Sequence, residues 1–490
     1  MFTPFAPWRR PSLLISILPI ATLLGTLLII LCTAGADAIS QYSTEALLGS
    51  AILSVALAAM TGCLSRRGMT VGFRRSARQI LPAVPMLIFI ATVSTTWMLS
   101  GVVPTLIDYG ISIINPTMFL MTTCVVCAGI SVLTGSSWST IATIGVAFMG
   151  IGTVMGFSAG WIAGAIISGA YFGDKVSALS DTTVVASSTC GVDLFDHIRY
   201  LMITAIPSMG IALIVFTMVG VFTHATPDAT SADILHHLES TFVISPKILI
   251  IPVVTAAMIM LRVPTLLTLA LSSAMGLAGI FLFQPQLVAR LMETAGDHNY
   301  LSLIGNILWS ETSMSTGYEL LDNLVTTGGI TGMLPTVALV LCAMTFGTAM
   351  IGTGMLERIT RAFTGSLRRR VSIVGATVGS GLFLNSCTAD QYLSIIIGGN
   401  MYRNLYRRYG MEPRLLSRTL EDSVSVTSVL IPWNSCGVTQ SMVLGVPTLA
   451  YLPYCVFNYL SPIMSLAVAI TGFKIHSAVT SAMRHAVARA

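Results

Sequence analysis

The stretch GDKVSALSDTTVVASS, from Gly173 to Ser188, lies between two strongly apolar segments. It places Asp174, Lys175 and Asp181 at membrane depth, where each charge costs roughly 2.5–3.5 kcal/mol near the bilayer centre. Charge and non-helical backbone are tolerated at that depth only where protein or water surrounds them. The stretch therefore predicts the unwound middle of a discontinuous membrane helix, which is typical of secondary transporters.

The composition agrees with a membrane location. Of the 490 residues, 54% are hydrophobic and 9% are charged, which excludes a soluble protein of this size. The net charge of +5 comes from arginines in the predicted loops, so it is an orientation signal and does not indicate nucleic-acid binding. The nine cysteines have no histidine near them in sequence, so we expect structural thiols and no metal site or cofactor.

A second stretch repeats the first. EDSVSVTSVLIPWNSCGV, from Glu421 to Val438, shares Asp-x-Val-Ser and Cys-Gly-Val with GDKVSALSDTTVVASSTCGV, so that Asp174 corresponds to Asp422. Each stretch is preceded by a polar interruption of an apolar run, TGSSWST at 134–140 and NSCTADQ at 385–391. Two polar breaks in each half indicate an internal duplication with the site at the repeat interface.

The arginine distribution predicts the orientation of the two halves. The N-terminus, the arginine-rich loop after residue 64, the turn near Arg262 and the C-terminus are expected to be cytoplasmic. The first hairpin has no flanking cations and the second is flanked by arginines at both ends, so the two enter from opposite faces. We predict an all-α polytopic membrane protein with two inverted-topology repeats, each containing a re-entrant hairpin and a discontinuous helix.

The predicted segments follow from these breaks. They are an N-terminal helical pair (13–32 and 46–64) with a cytoplasmic loop, together 1–79; repeat 1, 80–223, with hairpin 117–156 and broken helix 157–198; connecting helices and an outer amphipathic segment, 224–329; repeat 2, 330–474, with hairpin 371–399 and broken helix 419–440; and a cytoplasmic tail, 475–490.

Five motifs resemble the NhaC family of sodium/proton antiporters: FGDKVSALSDTT, GVDLFDHIRYL, TADQYLSIIIGGNMY, LSRTLEDSVSVTSVLIPWNSCG and GVPTLAYLPY. The resemblance is dense over 160–200 and 385–460. It implies a bacterial cytoplasmic-membrane transporter that exchanges Na⁺ for H⁺, and some members resemble malate/lactate exchangers coupled to both ions. The chain departs from the family at Ala178, where proline is expected, and at Val184, where asparagine is expected.

An exchanger needs groups that hold either a proton or a cation, and buried carboxyls do this. The candidates are Asp174, Asp181, Asp390 and Asp422, with Lys175 as a charge partner. Sodium prefers oxygen ligands, as hard cations do. The breaks supply them from Ser137, Thr140, Ser177, Ser180, Thr182, Thr183, Ser386, Thr388 and Asn434. The expected Na⁺ ligands are Asp174, Asp181, Thr182 and Asn434.

Structural roles compete with these assignments. Asp174 could pair with Lys175 and only fasten the break, Asp390 could cap a helix, and Asp422 could form a salt bridge. His197, at a helix end, is expected to be solvated.

Alternative functions are a Na⁺- and H⁺-coupled organic-acid exchanger and, remotely, an intramembrane aspartyl protease that uses the FGD motif at 172–174. A carboxylate dyad does not explain two matched hairpins, so we expect a transporter rather than an enzyme. Its expected partners are the lipid bilayer and small ions, and analogy with other inverted-repeat exchangers favours a homodimer.

Overall fold

The computed structural model describes residues 11–64, 66–80, 83–223, 236–261, 263–295, 299–312, 322, 326–364, 367 and 369–475. Within these residues the regular structure is helical, apart from one antiparallel bridge between Thr312 and Thr327. Eight of the described helices are long and apolar enough to cross a membrane, or up to ten if each of two bent pairs is one span. The chain is thus an all-α polytopic membrane protein, as predicted.

The N-terminal part is more helical than predicted. Its helices are α1, Leu13–Ala34; α2, Ala36–Met60; and α3, Arg66–Ile80. The interpretation of the arginine-rich segment as a loop is wrong, because its small and apolar residues recur on one helical face and pack against a later helix. Gly72 and Met69 on that face lie against the C-terminal half of the helix that begins at Gly329.

The first half then builds a hairpin and a broken helix. Its helices are α4, Ala83–Leu99; α5, Val102–Ile113; α6, Phe119–Thr134; α7, Ser137–Val154; α8, Ala159–Val176; α9, Asp181–Cys190; and α10, Leu194–Phe222. Helices α4 and α5 meet at an angle of 66°. Asp108 lies within α5 and not in the predicted connection. The broken helix ends at Cys190 instead of residue 198, because Gly191 adopts the left-handed conformation and Asp193 caps α10.

The middle of the chain contains four further helices in the described residues. They are α11, Ile250–Met260; α12, Thr265–Phe283; α13, Pro285–Ala295; and α14, Tyr300–Trp309. The turn between α11 and α12 lies where the sequence predicts it. The predicted outer amphipathic segment around Glu311, Glu319 and Asp322 lies largely outside the described residues.

The second half repeats the order of the first. Its helices are α15, Gly329–Gly352; α16, Met355–Thr364; α17, Arg370–Thr388; α18, Gln391–Arg408; α19, Pro413–Leu420; α20, Ser435–Leu444; α21, Thr448–Tyr454; and α22, Val456–Thr471. A π turn, Glu421–Ser425, and a 3₁₀ turn, Ser428–Leu430, separate α19 from α20. Helices α17 and α18 form the second hairpin, whose second limb extends past the predicted end at 399 to Arg408.

Hairpin 1 (α6 and α7) is fastened to the first broken helix by glycines on α8. A Cβ atom at Gly169 would lie 2.1 Å from the carbonyl oxygen of Cys124, and one at Gly173 would lie 2.4 Å from that of Ala128. Such distances leave no room for a side chain, so the two backbones lie in direct contact. This small-x-x-x-small pattern allows close packing of membrane helices.

Gly169→Ala is therefore expected to destabilise the protein by about 1–3 kcal/mol, as overpacking of a tight interface does. The measurement is thermal stability of the detergent-solubilised protein. Gly129→Ala on the facing helix α6 is the control, since nothing lies within 4 Å of a Cβ atom there. Equal stability of the two variants would show that the α6–α8 contact is not tight.

Candidate ion-binding site

The first break lies between α8 and α9 and is held by hydroxyl groups. Residues 177–180 are non-helical, and Ser180 caps α9 by accepting a hydrogen bond from the Thr183 amide. The Ser177 hydroxyl donates to the Val132 carbonyl at 2.8 Å, and the Thr183 hydroxyl donates to the Lys175 carbonyl at 3.2 Å. Within the break the Leu179 amide donates to the Ser177 hydroxyl at 3.2 Å, so hydroxyls of the break also satisfy part of the unwound backbone, as membrane depth requires.

Asp174 lies in the last turn of α8, half-buried, and is bound by the tip of hairpin 1. The Ser137 hydroxyl, on the first turn of α7, donates to its Oδ2 atom at 2.7 Å. Asp181, at the start of α9, is exposed, whereas Thr182 beside it is buried, with its hydroxyl 3.0 Å from that of Ser180. The Thr140 hydroxyl donates to the Ser136 carbonyl at 2.9 Å within the same hairpin tip. Of the predicted hydroxyl ligands of the first half, these contacts join Ser137 to Asp174, and the others bond to neighbouring groups of the break and the hairpin tip.

The tip of hairpin 1 contacts the break directly at Gly135. Its φ of +66° is in the left-handed region, and a Cβ atom there would lie 2.5 Å from the Leu179 Cβ atom and 2.6 Å from the Leu179 carbonyl carbon. Any side chain at 135 would push the hairpin off the break and separate Ser137 from Asp174.

Gly135→Ala is expected to lower both stability and transport, with a backbone cost alone of about 1–2 kcal/mol. The corresponding tip of hairpin 2 (α17 and α18) carries Ala389 at a φ of +53°. Ala389→Gly is the matched variant and is expected to leave stability unchanged or raise it. The check is thermal stability together with transport rate, and a harmless Gly135→Ala would contradict the close contact.

The second break is held by the tip of hairpin 2 in a corresponding way. The Ser435 amide donates to the Ala389 carbonyl at 2.9 Å, and the Trp433 indole donates to the Ser386 carbonyl at 2.9 Å. Asn434 caps α20 through its Oδ1 atom, 3.1 Å from the Cys436 amide, and donates to the Asn385 carbonyl at 3.2 Å. Each hairpin tip therefore contacts the break in its own half.

Asp390 and its neighbours serve mainly to cap the second limb of hairpin 2. The Asp390 carboxylate accepts a hydrogen bond from the Leu393 amide at 2.7 Å. The Thr388 hydroxyl is 2.7 Å from that of Ser394, and the Ser386 hydroxyl donates to the Leu382 carbonyl at 3.1 Å. Of the two roles predicted for Asp390, ion coordination and helix capping, the geometry shows the cap.

Lys175 joins the two halves of the molecule. It forms a buried ion pair with Asp422, with side-chain exposures of 1% and 0%, and it also donates to the Ser461 hydroxyl at 2.7 Å. Asp422 Oδ1 accepts two further hydrogen bonds, from Ser461 at 2.8 Å and Thr204 at 3.1 Å. Lys175 thus pairs with the aspartate of the other break, leaving the Asp174 carboxylate to Ser137.

The sequence that forms these breaks and hairpins matches a known family. The sequence profile of the Na⁺/H⁺ antiporter family matches residues 9–201 and 169–473, which together cover most of the chain. The chain belongs to the Na⁺/H⁺ antiporter family. The resemblance of its motifs to NhaC proteins is thereby confirmed.

Curated relatives of this antiporter-family chain differ in cargo. It is 37% identical to the Na⁺/H⁺ antiporter NhaC of Alkalihalophilus pseudofirmus, over 80% of the chain and 82% of the relative. It is 32% identical to the arginine/ornithine antiporter ArcD of Halobacterium salinarum, over 97% of the chain and 95% of the relative. It is also 32% identical to the malate-2H⁺/Na⁺-lactate antiporter of Bacillus subtilis, over 80% and 81%.

Two charged residues of this family member were not predicted as site residues. Glu421 is fully buried in the π turn, and neither of its carboxylate oxygens has a hydrogen-bond partner among the protein groups that the structure describes. Arg418 is also fully buried, stacked over the Tyr200 ring at 4.7 Å, with its Nε atom 3.8 Å from Asp422 Oδ2. In the sequence, their position beside Asp422 in the second predicted break could have identified them as site residues. The structure adds that Glu421 lies in a π turn, and π turns are often found at functional sites.

The charges around the breaks do not cancel. Asp174 and Lys175 interact electrostatically with Glu421, as does Asp422. Three carboxylates, Asp174, Glu421 and Asp422, and two cations, Lys175 and Arg418, leave one negative charge when all are ionised. The exposed Asp181, in electrostatic range of Asp174, adds a second. Bound cations or protons would neutralise this excess.

The expectation for His197 is wrong. The imidazole is fully buried, and its Nδ1 atom lies 2.8 Å from the Ser417 hydroxyl. The N-terminal part of α10 packs against α19 at His197, a contact that the local sequence does not reveal.

The two halves also meet near hairpin 2. Tyr392, in the first turn of α18, is within electrostatic range of Asp174, Asp181 and Asp390. Helix α9 packs along α18, and α20 packs against the middle of α7. Each broken helix therefore contacts the hairpin of the opposite half.

Proposed function

We propose that this protein exchanges Na⁺ for H⁺ across the cytoplasmic membrane by alternating access, with the two ions competing for the buried carboxyls. The observation that carries the proposal is the excess of negative charge among Asp174, Asp181, Glu421, Asp422, Lys175 and Arg418. Such a cluster favours bound cations or protons, because a buried net charge is costly. The Na⁺/H⁺ exchange named for the NhaC relative agrees with this charge balance.

We place Na⁺ at the first break. Asp174 supplies the charged oxygen, and Asp181 with Thr182 supplies further oxygens at the start of α9, which suits a hard cation. Asn434 is a weaker candidate ligand than the sequence indicated, because its Oδ1 atom caps α20. Asp422 is satisfied by Lys175 and two hydroxyls, so its proposed role is to hold the two broken helices together.

The proposed transport cycle uses the two halves as inverted repeats. Each hairpin tip is bonded to the break of its own half, so hairpin and broken helix would move as a unit. The Lys175–Asp422 pair connects the two units across their interface. The arginine distribution supports cytoplasmic termini.

The second candidate function is exchange of an organic acid. Arg418 favours it, because a fully buried guanidinium that donates no hydrogen bond to any described group is the residue type that binds carboxylates. The malate-2H⁺/Na⁺-lactate antiporter relative also supports an organic acid as the cargo. Against it, Arg418 lies beside Asp422, which partly neutralises its charge.

The test is a transport assay in proteoliposomes that hold a proton gradient. Na⁺, Li⁺, K⁺, malate, lactate, arginine and ornithine are added singly while luminal pH is followed. We expect Na⁺ alone to dissipate the gradient. Dissipation that requires an organic acid or an amino acid would overturn the proposal and identify that compound as cargo.

A further inference from the structure

A cavity of about 230 Å³ lies beside the tip of hairpin 1. Its lining includes Thr134, Ser139 and Thr143 of the hairpin, Leu179 of the first break, and Thr265 and Thr268 of α12. This volume accommodates a Na⁺ ion with several waters, since each water takes about 30 Å³. The cavity therefore reaches from the α11–α12 turn to the break that holds Asp174.

Most of the hydroxyls that line this cavity have already donated their protons. Thr143 donates to the Ser139 carbonyl at 2.7 Å, Thr268 donates to the Val263 carbonyl at 3.3 Å, and Ser139 donates to the Ser136 hydroxyl at 3.1 Å. A hydroxyl has one proton and two lone pairs, so these side chains retain acceptor capacity only. Such a lining suits a cation and its waters better than an anion.

Hairpin 1 carries hydroxyls on both sides of its tip. Ser139 and Thr143 line the cavity, while Ser137 binds the Asp174 carboxylate. Leu179, which also lines the cavity, is in close contact with Gly135 of the hairpin tip. The hairpin tip thus contacts both the cavity and Asp174.

The second break is covered. Thr427, Ser428 and Asn434 are 2%, 0% and 0% exposed. By contrast, Leu179 at the first break is 38% exposed and Asp181 is exposed. The two breaks are therefore not equally accessible in this conformation.

We propose that the cavity beside hairpin 1 is the vestibule through which a hydrated monovalent cation reaches the first break from one face of the membrane. The α11–α12 turn at its mouth makes this the cytoplasmic face, by the arginine distribution. The inference rests on the proposed cation exchange and names the route of its cargo.

Thr143→Cys tests the vestibule with membrane-impermeant methanethiosulfonate reagents of either charge. We expect the cationic reagent to label the introduced thiol at position 143 from one side of the membrane only, and faster than the anionic reagent does. Na⁺ should slow the reaction, and labelling should abolish most transport. Labelling is quantified by mass spectrometry of the intact protein. Thr268→Cys is the second variant, for the case that the first does not fold.

Thr345→Cys is the matched control. Its hydroxyl also donates to the carbonyl one turn back, at 2.9 Å, but it lies on the exposed side of α15. Labelling there should leave transport unchanged, and unmodified wild type controls for the native thiols. The vestibule proposal would be overturned if neither residue 143 nor residue 268 were labelled. It would also be overturned if full labelling caused no loss of transport and Na⁺ gave no protection. A wild-type protein that transports no Na⁺ would instead overturn the proposed function. The vestibule would then be tested by the labelling rates alone, since these are measured without transport.

Discussion

Asp174→Asn is expected to weaken Na⁺ binding by a hundred- to a thousandfold, because an attraction of about 4 kcal/mol between charges ~4 Å apart is lost. The amide keeps the size of the side chain and can still accept the Ser137 hydrogen bond. Folding should therefore be retained while exchange is abolished. The measurements are Na⁺-dependent proton flux and ²²Na⁺ counterflow in proteoliposomes.

The controls for this variant separate charge from packing. Glu45→Gln makes the same chemical change at an exposed position on α2 and should leave both fluxes unchanged. Asp181→Asn should have a smaller effect than Asp174→Asn, because Asp181 is exposed at the start of α9. If Asp174→Asn showed Na⁺ counterflow at the wild-type rate, the placement of the Na⁺ site at the first break would be contradicted.

Lys175→Met is expected to destabilise the protein by about 3–5 kcal/mol, the cost of removing one partner of a buried ion pair. The residual charge is Asp422, which is fully buried between α10, α22 and the π turn and whose remaining neighbouring cation, Arg418, lies 3.8 Å away. Methionine matches the lysine stem in length, so lost packing contributes little. Thermal stability in detergent and the yield of monodisperse protein measure the effect.

The double variant Lys175→Met with Asp422→Asn is expected to recover part of this loss, because replacing both partners removes the buried Asp422 charge, while Arg418 loses its neighbouring carboxylate. Arg361→Met is the matched surface control. Its i,i+4 pair with Glu357 is half-exposed, and such pairs contribute about 0.3–0.5 kcal/mol. A Lys175→Met cost no larger than that of Arg361→Met would show that the pair does not fasten the two halves.

The hairpins and breaks were accessible from sequence, and the burial of single charges was not. TGSSWST and NSCTADQ interrupt apolar runs, and both become hairpin tips at the predicted places. Asp181 and Glu421 each lie in a predicted break, yet one is exposed and the other is fully buried. Burial depends on which helices cover a position, and those helices come from distant parts of the chain.

The amino-acid sequence by itself determined that this is a helical membrane protein with two polar breaks and two hairpin tips, because charges and hydroxyls at membrane depth exclude continuous lipid-facing helices. The tertiary structure decided the pairing of the charges. Lys175 adjoins Asp174 in sequence, but adjacent residues on a helix point in different directions. The lysine instead pairs with Asp422, 247 residues away, which leaves Asp174 to Ser137 and Glu421 without a described partner. Only the packing of one half against the other brings those groups together.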